Sequence, residues 1–283
     1  MKIRITADTT CDLPGILQKQ HHVALSPLTV LVNDQPHHDG VDVTPNALFH
    51  AVEQGGTVKT AAVNTFEYIE FFQRQLEGYD ALIHLNIGRE FSACYMNACQ
   101  AAKKFNNVYV VDTGSLSCGQ ALLVMDAVDM AESGMEPEVI VSRLCENAKL
   151  VDGSFVVNEI DYLYRGGRCS GVEAVGAKLL HIRPCIELES GKLHVGKKYR
   201  GGFEHCLEHY VLDRLQNAED IDNSRVFLVH AACDEKTILH VSNLLAQHAS
   251  FKETHIAVAG STICTHCGPR TLGIMFKRKT MKQ

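Results

Sequence analysis

Apolar and polar positions alternate in short blocks along the first half of the chain. Mostly apolar stretches at 2–7, 81–86 and 108–112 predict strands, and a polar loop follows each of them. Longer stretches with helical periodicity come after these loops, the longest at 120–132. Strand, loop and helix in this repeating order predict an α/β fold with a mainly parallel sheet, in which ligands usually bind beyond the carboxyl ends of the strands.

The other elements of this half follow from caps, turns and periodicity. The pattern predicts helices at 15–19, 46–54, 66–76, 92–105 and 137–149, and a strand at 23–32 that is followed by a turn at 34–36. Thr44 and Pro45 are an N-cap and a first-turn proline for the second of these helices.

The pattern changes after about residue 153. It predicts a strand at 154–158, a short helix at 160–164, a hairpin of strands 179–189 and 192–199, a helix at 203–216, a strand at 225–230, a helix at 234–247 and strands at 255–259 and 271–276. A hairpin around Ser190 and Gly191 indicates an α+β arrangement with a mixed or antiparallel sheet. We therefore expect two domains, 1–152 and 153–283.

Composition narrows the class of protein. The 283 residues are 46% hydrophobic and 21% charged, which excludes a disordered or collagen-like chain and provides for a large core. The net charge of −6 argues against a nucleic-acid binder, which would show a basic stripe. The 11 cysteines are an odd number, and the chain has no signal-peptide or membrane-spanning stretch. We expect a soluble, cytoplasmic protein with reduced thiols.

Two hydroxyl residues lie where a loop leads into a helix. Thr60 precedes the helix at 66–76, and Ser92 with Ala93 opens the helix at 92–105, so both places could hold a carboxylate or phosphate near free backbone N–H groups. The alternative is purely structural, with Asn64, Thr65 or Ser92 acting as helix caps. A nucleophilic serine would need a G-x-S-x-G elbow, which the segment around Ser92 lacks.

The segment near the carboxyl terminus contains Cys264 and Cys267 at Cys-x-x-Cys spacing. No second pair completes a zinc site, and a redox pair would be expected after a first strand, so both functions are weakly supported. His266 between them could donate a hydrogen bond to an anion. Arg168 and Arg200 lie beside glycine turns and could dock a phosphate or an acidic partner, or could simply be solvated. The usual phosphate-binding loops are missing from the sequence.

Taken in order, these segments resemble the DegV family of fatty-acid-binding proteins. The resemblance is carried by ITADTTCDLP at 5–14, KTAAVN at 59–64, NIGREFSACY at 86–95, VVDTGS at 110–115, DYLYRGGRCS at 161–170, IRP at 182–184 and HCGP at 266–269 with Leu272 and Gly273. The segment at 161–170 is the most specific of them. The likeness runs from the first strand to the last few residues.

The resemblance implies a Rossmann-like N-terminal domain and an α+β C-terminal domain with a long acyl chain buried between them. Thr60, Ser92 and His266 stand in the positions that hold the fatty-acid carboxylate, with the backbone N–H of Ala93. The family also implies a separate fatty-acid kinase that makes an acyl-phosphate. Arg168 and Arg200 would face that kinase near the cavity's mouth.

The same resemblance leads us to expect a carrier rather than an enzyme, with the fatty acid as its ligand, no cofactor and no metal. Transient contact with a membrane surface would serve ligand exchange. Two alternatives stay open: an acyl hydrolase or acyltransferase that uses Ser92 and His266, and a metal or redox protein that uses Cys264 and Cys267. The chain departs from the family at Ala61, Ala62, Val63, Ala93 and Cys94, which bears on the choice of acyl chain.

Overall fold

A computed structural model of the protein describes residues 1–170 and 182–281. The strands in chain order are β1 (Ile3–Asp8), β2 (Ala24–Ser26), β3 (Thr29–Val32), β4 (Gln35–His38), β5 (Val58–Ala61), β6 (Ala81–Asn86), β7 (Val108–Asp112), β8 (Val151–Val156), β9 (Cys169–Ser170), β10 (Ile182–Glu189), β11 (Lys192–Arg200), β12 (Ile221–Ala231), β13 (Glu253–Val258) and β14 (Thr271–Arg278). The helices are α1 (Gly15–Gln20), α2 (Pro45–Glu53), α3 (Thr65–Leu76), α4 (Cys94–Ala102), α5 (Cys118–Glu132), α6 (Pro137–Asn147), α7 (Asp161–Gly166), α8 (Phe203–Arg214), α9 (Glu235–His248) and α10 (Ser261–Cys267).

The first half contains the expected parallel sheet. Its strand order is β2-β1-β6-β7, and every pairing is parallel. All six residues of β6 are buried, as is typical of a strand covered by helices on both faces. The α/β fold class predicted from the pattern is confirmed.

A second, small sheet in this half differs from the prediction. The predicted strand 23–32 is two strands, because Pro27 has no N–H for a ladder and the chain passes there from the parallel sheet into an antiparallel sheet of order β4-β3-β5. The predicted turn at 34–36 lies at Asn33 and Asp34, whose φ angles are 51° and 61°. Pro36 therefore belongs to β4, an edge strand, where a proline is tolerated.

The second half forms a seven-stranded mixed sheet of order β13-β12-β14-β8-β10-β11-β9, as predicted. The hairpin of β10 and β11 turns at Ser190 and Gly191, with φ angles of 49° and 77°. The first three residues of the predicted strand 179–189 lie outside the described part of the chain. Strand β8 lies inside this sheet and begins at Val151, and the division into domains 1–152 and 153–283 remains a prediction.

Helix α5 joins the two halves. It is buried on nearly all sides and packs against β1 and β6 of the parallel sheet and against β8, β12 and β14 of the mixed sheet. A helix that is apolar on nearly all sides is typically buried in this way. Helix α10 was not predicted, because its seven residues, STICTHC, are short and lack a helical period. It contacts α2 and β5 of the first half and α7 of the second.

Candidate functional site

Two connected cavities lie where the mixed sheet meets the loops of the first half. We call the outer one the mouth and the inner one the tunnel. They are continuous, since the same five residues line both: Leu116, Arg168, Leu193, Ile263 and His266.

The mouth collects polar groups from three separate elements. Thr60 comes from β5, Ser92 from the loop after β6, and His266 from α10. The Thr60 hydroxyl lies 2.8 Å from His266 Nε2, so a residue of the first half is hydrogen-bonded to one that is 206 positions further along the chain. Ala93 and Arg168 also line the mouth. Tertiary contact thus brings five of the six predicted site residues together.

Gly166 sets the orientation of the imidazole of His266. A Cβ at position 166 would lie 2.5 Å from Nδ1, so only glycine allows the ring to approach this closely. Nδ1 is buried and has no hydrogen-bond partner among the described residues, whereas Nε2 faces Thr60. An orphaned buried N–H is rarer than an orphaned acceptor, which favours the tautomer with the proton on Nε2.

The imidazole of His266 is neutral at physiological pH. Burial and the nearby guanidinium of Arg168 lower its pKa to about 4. The ring can therefore act as a hydrogen-bond donor through Nε2 without adding charge. Among the described residues that line the mouth and the tunnel, Arg168 is the only one of the four charged types, lysine, arginine, aspartate and glutamate.

Neither hydroxyl is committed to a conventional helix cap. Asn64 caps α3 and forms a capping box with Glu67, which leaves Thr60 outside the cap. Helix α4 begins at Cys94, after Ser92. The Ser92 hydroxyl donates to Cys94 Sγ at 3.2 Å and accepts a long bond of 3.3 Å from the Cys94 N–H. These are weak bonds, which a stronger acceptor at the mouth could replace.

The two predicted docking arginines lie in different places. Arg168 is exposed at the mouth, where Nη1 donates to Gly166 O at 2.8 Å and Nε donates to Phe91 O at 3.4 Å. It therefore bridges the loop that carries Ser92 and the glycine that packs on His266. Arg200 is exposed at the end of β11 and lines neither cavity.

The residues that line the tunnel are the part of the site that the sequence did not identify, although the family resemblance implies a buried acyl chain. The walls of the tunnel are almost entirely apolar and come from the mixed sheet, α7, α10 and the loop before α5, including Phe155, Leu163, Val229, Ala231 and Met275. Each of these residues has the pattern of an ordinary core position in its strand or helix. No sequence signal separates a side chain that lines a cavity from one that fills the core.

The alternative chemistries find little support in the geometry. Ser92 is hydrogen-bonded to Cys94 and His266 to Thr60, so these two side chains do not form the serine–histidine pair of a hydrolase. Cys264 and Cys267 are buried on α10. Within residues 1–170 and 182–281, no three histidine, cysteine, aspartate or glutamate side chains are arranged to hold a metal ion. In the same part of the chain no helix is long and apolar enough to cross a membrane.

Comparison with known proteins gives matches along nearly the whole chain. A family model described as "Uncharacterised protein, DegV family" matches residues 2–279. A protein named fatty acid-binding protein from Thermotoga maritima is 29% identical over 280 residues, which are 96% of each chain.

Two solved structures are similar to this fold. A DegV family protein from Thermus thermophilus, described for its fatty acid binding, is 25% identical with a TM-score of 0.87, over 98% of this chain and all of that one. A DegV lipid binding protein from Thermotoga maritima is 27% identical with a TM-score of 0.87, over the full length of both chains.

Proposed function

The chain belongs to the DegV family, and from this premise we propose that it binds a long-chain fatty acid and presents the carboxylate to a kinase. The observation that carries the proposal is a mouth with several hydrogen-bonding side chains that is continuous with an apolar tunnel. This is the shape and chemistry of one ligand with a charged head and a long hydrocarbon tail. The bound acid would lie between the two proposed domains, 1–152 and 153–283.

The mouth offers a carboxylate a set of hydrogen-bond donors. In the proposed complex Nε2–H of His266 donates to the Thr60 oxygen, which leaves the Thr60 hydroxyl to donate to one carboxylate oxygen. The Ser92 hydroxyl leaves Cys94, and with the N–H of Ala93 it donates to the carboxylate. Because His266 is neutral, the guanidinium of Arg168 provides the compensating positive charge.

The tunnel supplies most of the binding free energy. Burying a CH₂ group contributes about 0.8 kcal/mol, so a tail of a dozen or more carbons outweighs what the mouth can add. The mouth then decides orientation, because only the carboxylate finds donors there.

The chain itself serves as a carrier. In the partner reaction, a carboxylate oxygen attacks the γ-phosphorus of ATP, the bond to the ADP oxygen breaks, and an acyl-phosphate and ADP result. The carrier's sequence lacks the usual nucleotide-binding motifs, so ATP would be bound by a separate fatty-acid kinase. Arg168 at the mouth and the exposed Arg200 would face that kinase. The carrier would work in the cytoplasm and meet a membrane surface transiently for ligand exchange.

Native mass spectrometry tests the binding step. Protein purified from a bacterial host is expected to carry a co-purifying mass equal to that of a fatty acid, which organic extraction releases. A clean apo mass, together with no binding of added palmitate, would refute the proposal. Hydrolysis of p-nitrophenyl esters that Ser92→Ala abolishes would favour the hydrolase alternative instead.

The docking step has its own test. Arg200→Glu should leave palmitate affinity unchanged, since Arg200 lines neither cavity, and should abolish acyl-phosphate formation with ATP and the partner kinase. Arg200→Lys is the matched control and should retain most of the rate. Equal rates for the glutamate variant and the wild type would remove Arg200 from the docking surface.

A further inference from the structure

The first residues of α10 are held by two buried carboxylates. Asp39 accepts the N–H of Ser261 at 2.8 Å on one oxygen and the N–H of Thr262 at 3.1 Å on the other. Asp12 accepts the N–H of Gly260 at 2.8 Å. Both aspartates are almost fully buried, with exposed fractions of 1% for Asp39 and 7% for Asp12. Three consecutive amides of the helix start are thus paired with side chains.

The two carboxylates follow strands that belong to different sheets. Asp39 directly follows β4, in the same three-stranded sheet that carries Thr60 on β5. Asp12 lies beyond β1 of the parallel sheet and also accepts a hydrogen bond from the hydroxyl of Ser117, at the start of α5. His266 lies in the last turn of α10, which is only about 10 Å long. One short helix therefore connects the carboxylates to the Thr60–His266 bond.

We propose that Asp39 is a positioning residue for His266. It anchors α10 to the sheet that carries Thr60, and through this anchor it sets the affinity of the mouth for a carboxylate. This inference rests on the proposed function as far as affinity is concerned. The orientation of His266 can be measured without any ligand, so the positioning role of Asp39 and the fatty-acid proposal can fail separately.

Asp12 makes the anchor depend on pH. A Cβ at Gly260 would lie 3.2 Å from one Asp12 oxygen and from both Asp39 oxygens, so the two carboxyl groups crowd the same point. Burial, with a smaller contribution from the charge of Asp39, raises the pKa of Asp12 to about 8, and Asp12 is neutral at pH 7. Among the described residues, the thiols of Cys11, Cys118 and Cys264 also face the pair; burial raises the pKa of the first two, and the hydrogen bond with Cys267, followed by burial, raises the pKa of Cys264.

The raised pKa of Asp12 makes the fold more stable at low pH than at high pH. A carboxyl group whose pKa is higher in the folded state stabilises the fold at low pH, and this contribution is lost as the pH rises through about 8. Above that pH two adjacent anions are buried at the start of α10. We expect the helix start to loosen and the Thr60–His266 bond to weaken.

Asp39→Asn tests the anchor directly. Asparagine keeps one accepting oxygen, so one helix amide loses its acceptor, and the dissociation constant for palmitate is expected to rise about tenfold at pH 7. The ¹⁵N signals of the His266 imidazole should shift towards those of a free histidine. Asp34→Asn, at an exposed aspartate in the turn between β3 and β4, is the control and should change neither quantity.

Asp12→Asn tests the pH dependence. Its carbonyl can still accept from Gly260 and its amide can donate to Ser117, so affinity at pH 7 should stay within about twofold of the wild type. Between pH 7 and 9 the wild type should lose about fivefold in affinity and show the imidazole shift, whereas Asp12→Asn should show neither change.

The outcomes separate the proposals. Unchanged affinity and unchanged imidazole signals in Asp39→Asn would overturn the positioning role. If that variant does not fold, the pH comparison with Asp12→Asn decides, and identical pH profiles would refute the inference. If wild-type protein does not bind palmitate, the fatty-acid proposal fails, and the imidazole signals alone still test the role of Asp39.

Discussion

The mouth and the tunnel are neighbouring parts of one cavity, and they are built in opposite ways. The mouth is assembled from single residues on separate elements, which hydrogen bonds such as Thr60–His266 hold in place. The tunnel is made mainly of apolar side chains that strands of the mixed sheet, the helices α7 and α10 and the loop before α5 present together. The mouth should therefore be sensitive to the loss of one atom, and the tunnel to a change of volume.

Blocking the junction should have the largest effect. Ile263 lines both cavities, and Ile263→Trp would close the passage between them. Losing the burial of even four CH₂ groups costs about 3 kcal/mol, which is more than 100-fold in affinity for palmitate. Equilibrium dialysis with labelled palmitate measures this, and Ile263→Val is the control. Undiminished binding would mean that the tail does not enter the tunnel.

Removing one hydroxyl at the mouth should have a smaller effect of a different kind. Thr60→Val keeps the shape but deletes the bond to His266 and the proposed bond to the carboxylate, at a cost of about 1.5–3 kcal/mol. The loss should appear for palmitate and not for hexadecanol, which has the same tail. Thr57→Val, an exposed threonine just before β5, should have no effect. An equal loss for acid and alcohol would contradict the assignment of Thr60 to the headgroup.

Acid should weaken the fold through His266. Because its pKa is about 4 in the folded protein against an ordinary value of 6.5, the unfolded chain binds more protons between these pH values. The protonation of this histidine alone should lower the free energy of unfolding by about 1–2 kcal/mol between pH 7 and pH 5. Urea denaturation of wild type and His266→Gln at both pH values measures the difference.

The difference between wild type and His266→Gln cancels the contributions of the other titrating groups to the pH dependence. Asp12 is one of these groups, and its raised pKa acts in the opposite direction. His50→Gln, at an exposed histidine, should behave like the wild type. If His266→Gln showed the same pH dependence as the wild type, the lowered pKa would be wrong.

A substitution that conserves volume in the tunnel should have the smallest effect. Met275→Leu replaces one flexible apolar side chain with another of similar size, and such exchanges usually cost less than about 1.5 kcal/mol. Palmitate affinity should change by less than about threefold. A larger change would show that the tunnel wall recognises the chain by detailed shape rather than by volume.

Prediction from sequence succeeded where local chemistry is sufficient. The parallel sheet, the mixed sheet and the hairpin at Ser190 follow from apolar patterns and turn residues, and the structure has them. The sequence did not predict helix α10, whose seven residues are too short to show a helical period, and it did not predict the break at Pro27, although the missing N–H of that proline is a local signal for it. The family motifs led to Thr60, Ser92, Ala93, Arg168 and His266, which all line the mouth, although their roles stay predictions.

The sequence by itself determined the α/β class, the order of most elements and which residues are candidates for the polar chemistry of the mouth. Only the tertiary structure decided that Thr60 and His266 meet, that Gly166 turns the imidazole, and that Arg168 reaches the mouth while Arg200 does not. It also decided that apolar core positions enclose a tunnel and that Asp12 and Asp39 share the start of α10. The physical reason is range: strands, turns and caps depend on neighbours a few residues away, whereas cavities and buried polar pairs depend on segments that only packing brings together.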